Sequence, residues 1–402
     1  MMRRRGGFAT SIDISRSVRQ QWAQIDDIVA ANSQRVIQAF RLSGLSTLDL
    51  MGTTGYGYDD RGRTILDRIA AEIFGCEAAL IRSQWVSGTH ALATVLMALA
   101  RPDRTVWVLT GAPYDSIRPT FARLSERGCR VRVEGTGNEI PRLGQADILR
   151  PDDVVYLQRS RGYSGRRAWG AADIRRVAEW AHQGGAVVVV DNCYGEFTQI
   201  AEPGHWGADL VAGSLMKNPG GSIAPTGAYV AGREDLIRQV AEALYAPGIG
   251  GGVGASAPYL RLIAQGLFLA PQLVGEALKG GVYISHAAQD RGIPSDPDAR
   301  ETERNDIVVA LDLGAPERVV RFCQTIQAWE PVDAHVKPEP WVMPGYDHPV
   351  IMAAGGFVSG GSLELSADAP IRPPYRVFVQ GGVNRWHTKL AVDHALDSLS
   401  NL

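Results

Sequence analysis

Apolar residues recur at helical spacing near the start of the chain. Val18, Trp22, Ile25, Ile28, Val29, Val36, Ile37 and Phe40 predict an amphipathic helix. A Gly- and Tyr-rich segment follows, Gly52-Thr53-Thr54-Gly55-Tyr56-Gly57-Tyr58. Ile65, Leu66, Ile69 and Ile73 then mark one face of a second helix. From about residue 80 the pattern alternates. Ser87-Gly88-Thr89 opens a helical stretch that runs to Ala100, and Thr105 to Thr110 reads as a strand. Ser116 to Arg127 reads as a helix, Val154 to Leu157 as a strand and Ala171 to His182 as a helix. Ala186 to Val190 is an apolar, β-branched run that ends at Asp191. Leu210 to Ala212 and Ala228 to Val230 predict further strands.

Continuous apolar strands between helices predict an α/β fold with a mostly parallel sheet, covered on both faces. A Gly-rich loop at Gly248 to Gly254 interrupts the order, and a second unit begins at about residue 290. That unit holds a strand at Ile307 to Leu311, a helix at Pro316 to Trp329, short β segments to Val379 and a closing helix from about Arg385. The resulting division is an N-terminal arm and helix over 1–60, a large unit over 61–290 and a small C-terminal unit over 291–402.

The 402 residues carry a formal charge of -2, so no basic surface points to nucleic acid or an anionic membrane. No run of eighteen apolar residues predicts a membrane span. Met1-Met2-Arg3-Arg4-Arg5 imitates the charged start of a secretion signal, but no apolar stretch follows, so a cytoplasmic protein is expected. Four scattered cysteines without a CxxC pair, and eight histidines without an HxxxH pair, fit no metal site. Asp59-Asp60 and the Ser366-Ala367-Asp368 segment read as solvated or capping groups, the latter in a turn. One bias is informative: only four of the 41 basic residues are lysines, at 217, 279, 337 and 389.

Ligands of α/β sheets sit beyond the carboxyl ends of the strands. Asp191 ends the most apolar strand. Lys217 follows a short strand in Gly213-Ser214-Leu215-Met216-Lys217-Asn218-Pro219-Gly220-Gly221, and Tyr114 follows the strand of Trp107. Ser87-Gly88-Thr89 opens a helix whose free N–H groups suit a phosphate. Each residue alone reads as a cap, a packing group or a surface charge; together they suit pyridoxal 5′-phosphate. That cofactor needs a lysine for the Schiff base and a carboxylate at the pyridine nitrogen. The lysine must be uncharged to attack, and burial with a cationic neighbourhood would lower its pKa. Lys279 is read near a helix end, Lys337 in a Pro-flanked loop and Lys389 in the polar closing helix. None of them follows an acid-ended strand. His90, beside the phosphate cup, reads as packing or as lining the site.

The segments GYGYDDRGR (55–63), VSGTHAL (86–92), QRSRGYS (158–164), VDNCYGEF (190–197), GSLMKNPGG (213–221), APTGAYVAGR (224–233), MPGYDHPVIMAAG (343–355) and ELSADAPIRPPYRVFVQGG (364–382) resemble the methionine gamma-lyase-like family. Its members are often labelled cystathionine beta-lyase-like or aluminium-resistance proteins. The resemblance covers nearly the whole chain. It implies a fold-type-I pyridoxal-phosphate enzyme with a seven-stranded cofactor domain at 61–290 and a small C-terminal α/β domain. It also implies a homotetramer of dimers that share active sites.

By that resemblance Lys217 is the Schiff-base lysine, and Ser214 with Gly88 and Thr89 holds the phosphate. Tyr114 stacks on the ring and helps protonate the leaving group, and Asp191 partners the pyridine nitrogen. Tyr56 or Tyr58, with Arg61 or Arg63, reaches a neighbouring copy's phosphate; Tyr56 and Arg63 are the leading pair. Arg372, with Arg376 in reserve, clamps the substrate carboxylate. The end of the motif, Gln380-Gly381-Gly382-Val383-Asn384-Arg385-Trp386, departs from the family's QGGLTY and leaves the substrate open. The implied activity is elimination of a β- or γ-substituent from an L-amino acid, carbon–sulfur cleavage foremost. The alternative is γ-replacement or a related biosynthetic reaction that starts from γ-elimination. A dinucleotide or ATP site in the 248–254 glycines is excluded, because they match neither GxGxxG nor GxxxxGK.

Overall fold

The computed structural model describes residues 14–140, 149–343 and 346–400. The Met1 to Arg5 segment, and Pro344 and Gly345 of the 343–355 motif, lie outside the described residues.

The helices and strands run α1 (Arg16–Ser43), α2 (Arg61–Phe74), β1 (Ala78–Arg82), α3 (Gly88–Leu99), β2 (Thr105–Val108), α4 (Arg118–Glu126), β3 (Arg130–Val133), β4 (Val154–Gln158), α5 (Ala171–Gln183), β5 (Val187–Asp191), β6 (Leu210–Ser214), β7 (Ala228–Gly232), α6 (Glu234–Leu244) and α7 (Leu260–Gln289). Beyond α7 come β8 (Ser295–Asp296), β9 (Val308–Asp312), α8 (Pro316–Ala328), β10 (Val350–Ala353), β11 (Ser366–Pro370), β12 (Arg376–Gln380) and α9 (Arg385–Asp397).

The large sheet has seven strands in the order β1-β7-β6-β5-β4-β2-β3. Its β2, β3, β4, β5 and β6 are parallel, and β7 and β1 join antiparallel at one edge. Two buried apolar clusters cover its faces, one containing α1, α2, α5 and α7 residues and the other α3, α4 and α6 residues. A second sheet, β10-β11-β12-β9-β8, packs with α8 and α9 around a third cluster. Among the described residues no helix is long and apolar enough to cross a membrane.

The opening helix forms where the pattern places it. Ser15 caps it by accepting from the Val18 N–H, and Gly44 ends it at φ +69°. Val18, Trp22, Ile25 and Val36 are buried, but Ile37 is 44% exposed. Adjacent helical residues sit about 100° apart, so Val36 and Ile37 cannot both face inward. Two short strands carry too little pattern to be predicted. β1 holds five residues, and β3 is an exposed Arg-Val-Arg-Val edge.

α7 is the larger departure. It runs for 30 residues through Pro271, where the sequence predicts a helix only around Lys279. Lys279 is therefore not near a helix end. It lies within α7, 4% exposed, and its ammonium pairs with Asp26 of α1.

The loop after Lys217 is pressed onto α7. A Cβ at Gly266 would stand 2.1 Å from the Gly220 carbonyl oxygen, and one at Gly221 would stand 2.4 Å from that of Gly266. Alanine favours a helix over glycine by about 1 kcal/mol, yet no side chain can move aside from a backbone carbonyl. Gly266→Ala should therefore destabilise the protein by about 1–3 kcal/mol net of that gain. A lower urea midpoint checks this; an unchanged or higher one would mean that the loop yields freely.

Candidate active site

Parallel strands present their carboxyl ends along one edge, and three of them converge here on a single cavity. β4 brings Gln158, β5 Asp191 and β6 Ser214, while the N-terminus of α3 brings Ser87, Gly88 and Thr89. Val308 of β9, Asp368 of β11, and Phe378 and Gln380 of β12 close the opposite wall. The enclosed volume is about 210 Å³.

Lys217 reaches this space from the tight turn after β6. Its N–H donates to the Ser214 carbonyl at 3.2 Å, and the Met216 N–H donates to Ser214 Oγ at 3.2 Å. The Lys217 ammonium stands 3.8 Å from the centroid of the Tyr194 ring, a cation–π contact. Tyr194 has left-handed backbone, φ +68°, a conformation that costs a non-glycine residue about 1–3 kcal/mol.

Asp191 is 3% exposed. One oxygen accepts from the Cys193 N–H at 3.1 Å and the other from the Tyr156 hydroxyl at 3.2 Å. Burial raises its pKa, against the pull of Lys217 and these hydrogen bonds.

The expected lowering of the Lys217 pKa is reversed. Burial alone would lower it, but Cys193, Tyr194, Asp191 and Tyr114 together hold it above the ordinary lysine value. The expected cationic neighbours are missing: among the described residues that line the cavity, Lys217 is the only lysine or arginine.

Tyr114 is held at both ends. Its N–H donates to Gln158 Oε1 at 3.0 Å, and its hydroxyl lies 3.1 Å from Thr89 Oγ1. Burial, then the Asp191 charge, pushes its pKa well up, so it remains a proton donor. Ser87 caps α3 by accepting from the His90 N–H at 3.1 Å. His90 itself is exposed and does not line the cavity.

Lys217, Tyr114, Gly88, Thr89, Asp191 and Ser214 thus share one cavity. The other predicted site residues lie outside it. Tyr56 and Tyr58 stack at 5.5 Å and are 77% and 64% exposed. Arg61 is held by Asp49 at 2.7 Å.

Arg63 needs a correction. It is 4% exposed and donates at 2.7 Å to the carbonyls of Gly57, Gly254 and Gly252. Within its own chain it ties the two Gly-rich segments together.

Arg372 and Arg376 are also corrected. Both line an adjoining surface depression, which shares Tyr163 and Phe378 with the cavity, and neither is among the described residues that line the cavity itself. Arg376 pairs with Asp312, and Arg372 donates to the Tyr163 carbonyl at 3.3 Å. Residues 376, 378 and 380 share one face of β12, but at about 3.3 Å per residue Arg376 starts roughly 13 Å short of Gln380, the end that meets the cavity.

Sequence reasoning missed Tyr194, Tyr163, Gln380 and Asp368. Tyr194 is adjacent to the VDNC signal, but its role depends on the left-handed turn. Asp368 was expected in a solvated or capping turn. It lies in β11 instead and is 4% exposed. Burial raises its carboxyl to about 7, while Tyr163 and Lys217 pull the other way. A raised carboxyl pKa means that the folded chain binds a proton the unfolded chain has released. This contribution is fully present below about pH 4 and is lost as pH rises to about 7. Asp368→Asn should flatten that part of the stability profile, as read by urea unfolding at pH 5 and pH 8; an unchanged slope would assign the titration elsewhere.

This fold and cavity define an α/β protein of the fold type I of pyridoxal-phosphate enzymes. The chain belongs to the methionine gamma-lyase family, whose model matches residues 9–400. It is 39% identical over 403 residues to the uncharacterized protein YnbB of Bacillus subtilis, covering 97% of this chain and 96% of that one. A crystal structure from Listeria monocytogenes, named as a candidate cystathionine beta-lyase involved in aluminium resistance, is 39% identical with a TM-score of 0.91, over 95% of this chain and 97% of that one. A carbon-sulfur lyase involved in aluminium resistance from Clostridium novyi is 38% identical with a TM-score of 0.87, over 94% of this chain and 92% of that one.

Proposed function

We propose that the chain is a pyridoxal-phosphate-dependent lyase that removes a β- or γ-substituent, sulfur foremost, from an L-amino acid. The observation that carries this reading is the shared cavity of Lys217, Asp191 and the N-terminus of α3. The donors fit the cofactor part by part. The Lys217 amine suits its aldehyde carbon, Asp191 its pyridine nitrogen, and the Tyr114 ring its face. The free N–H groups of Gly88 and Thr89, with the Ser214 hydroxyl, suit its phosphate. A Cβ at Gly88 would stand 3.1 Å from both Cys193 Sγ and Ser214 Cβ, so a side chain there would fill the cradle.

When bound, the cofactor supplies an electron sink for charge developing at the substrate Cα. The protein's own groups do the rest. The Lys217 amine, freed by the substrate amine, would take the Cα proton; for a γ-substituent it would first return that proton to the cofactor-bound substrate and then, neutral again, take a Cβ proton. Asp191 holds negative charge against the ring nitrogen. Tyr114, kept protonated, gives its proton to the leaving group. The wall of β9, β11 and β12 shields one side of the cavity from water, which strengthens these interactions there.

Among the described residues, the cavity wall has no arginine for a phosphate, while Tyr56 and Tyr58 are exposed. Both features support an assembly in which copies of the chain, as a homotetramer, complete one another's sites. Purified protein should show a visible-edge absorbance band with pyridoxal phosphate, and should release 2-oxo acid and ammonia from a sulfur amino acid. Protein with neither band nor product, across cysteine, methionine, cystathionine and γ-substituted homoserines, would overturn the reading.

A further inference from the structure

We propose that Asp368 is the specificity-determining residue of the cavity, and that it selects an L-amino acid whose side chain ends in a hydrogen-bond-donating cation such as an ammonium. The proposal rests on the lyase reading and adds the chemical class of substrate.

Asp368 lines the cavity from β11, across from the strand ends that bring Asp191 and Ser214. Its Oδ2 accepts from the Gln380 amide at 3.1 Å. Its Oδ1 is buried without a donor at full hydrogen-bond geometry, and the nearby Tyr163 hydroxyl is the neutral donor that favours its charged form. A buried carboxylate served only by neutral donors is costly, so it either stays protonated or takes a cation. The raised carboxyl pKa reflects that cost.

Among the described lining residues, no cation other than Lys217 compensates it. Asp115, also in the wall, is paired with Arg118 at 2.8 Å. Asp191 is committed to its own donors, Tyr156 and the Cys193 N–H. Lys217 is the only lysine or arginine among the described lining residues, and it is committed to the cofactor and the reacting carbon. The loaded cavity therefore keeps one uncompensated carboxyl on the wall opposite the chemistry.

The side chains beside it are apolar or aromatic. Met216, Val308, Tyr346 and Phe378 form a sleeve suited to methylene or thioether groups. An unbranched side chain would cross this sleeve and present its terminal cation to Asp368.

The test uses holoprotein and two amino acids that undergo no elimination. L-lysine and L-norleucine share a backbone and differ at the chain end, ammonium against methyl. Each is titrated while the cofactor absorbance and the calorimetric heat are followed. L-lysine should bind wild-type protein about tenfold or more tightly than L-norleucine, the scale of one hydrogen bond to a charged group. Asp368→Asn should bring the two within about threefold by weakening L-lysine alone. Equal wild-type affinities, binding of neither, or a preference that survives the substitution would each overturn the proposal. The wild-type comparison decides the matter even if the variant does not fold. Protein that takes up no pyridoxal phosphate, read before any amino acid is added, would instead overturn the lyase reading.

Discussion

Lys217→Ala should abolish turnover, lowering kcat by at least about 10³-fold, because one residue supplies both the amine that holds the cofactor and the base that takes the proton. The visible-edge absorbance band should vanish with it. Lys217→Arg is the sharper variant. It keeps a cation available over the Tyr194 ring, which Lys217 approaches to 3.8 Å, so packing and folding should survive. Arginine does not deprotonate, however, and cannot attack an aldehyde. Both variants should therefore be colourless with the cofactor and inactive; Lys217→Arg should keep a urea midpoint close to the wild type, whereas Lys217→Ala, which leaves buried Asp191 without its cation, should lower it. The raised Lys217 pKa gives this prediction its direction: the resting ammonium sits comfortably among Asp191 and its neighbours. The ammonium must first give up a proton before the amine can attack the aldehyde. Either variant retaining both the band and product release would remove Lys217 from the chemistry.

Asp191→Asn is the second large effect. Asparagine keeps the size of the side chain and can still accept from the Cys193 N–H, so the strand end should hold its shape. What is lost is a buried negative charge opposite the pyridine nitrogen. Removing one partner of a buried ion pair costs about 3–5 kcal/mol, which corresponds to about 10²–10⁴-fold in rate. Turnover should fall by that factor while the band persists, because Lys217 is untouched. That split between bound cofactor and lost rate distinguishes a chemical role from a structural one. If turnover stays within about threefold of wild type, Asp191 is a strand-end hydrogen-bond acceptor and nothing more.

The two residues were legible in the sequence for different reasons. Asp191 closes a run of four valines, and a continuous apolar strand of that kind has to lie inside a covered sheet. Lys217 stood out because the chain otherwise favours arginine, and its small and apolar neighbours are unlike those of a surface lysine. Lys279 shows the limit of that reasoning. It too lies among small residues, in Ala277-Leu278-Lys279-Gly280-Gly281, and it is as buried as a site residue, yet its role is to tie α7 to Asp26 of α1.

The arginines mark the same limit from the other side. Arg63, Arg372 and Arg376 sit in motifs that imply anion binding, and the fold turns each of them to its own chain. Arg63 binds three carbonyls, Arg376 binds Asp312, and Arg372 binds the Tyr163 carbonyl. A guanidinium takes whichever acceptors the backbone brings within reach, and those acceptors are distant in sequence.

By itself the sequence determined the α/β class, the order of the main strands and the six residues that meet in the cavity from the large sheet. Most of those features follow from local pattern, namely apolar periodicity, a capped helix start and residues just past strand ends, and the role of Ser214 from the family resemblance. Only the tertiary structure decided the far wall. Asp368, Gln380 and Phe378 reach the cavity because β11 and β12 pair in one register, Asp368 opposite Phe378 and Ser366 opposite Gln380, and because the second sheet packs over the first. Register and packing join residues from distant parts of the chain, and no local pattern encodes which of two alternating faces will meet a ligand.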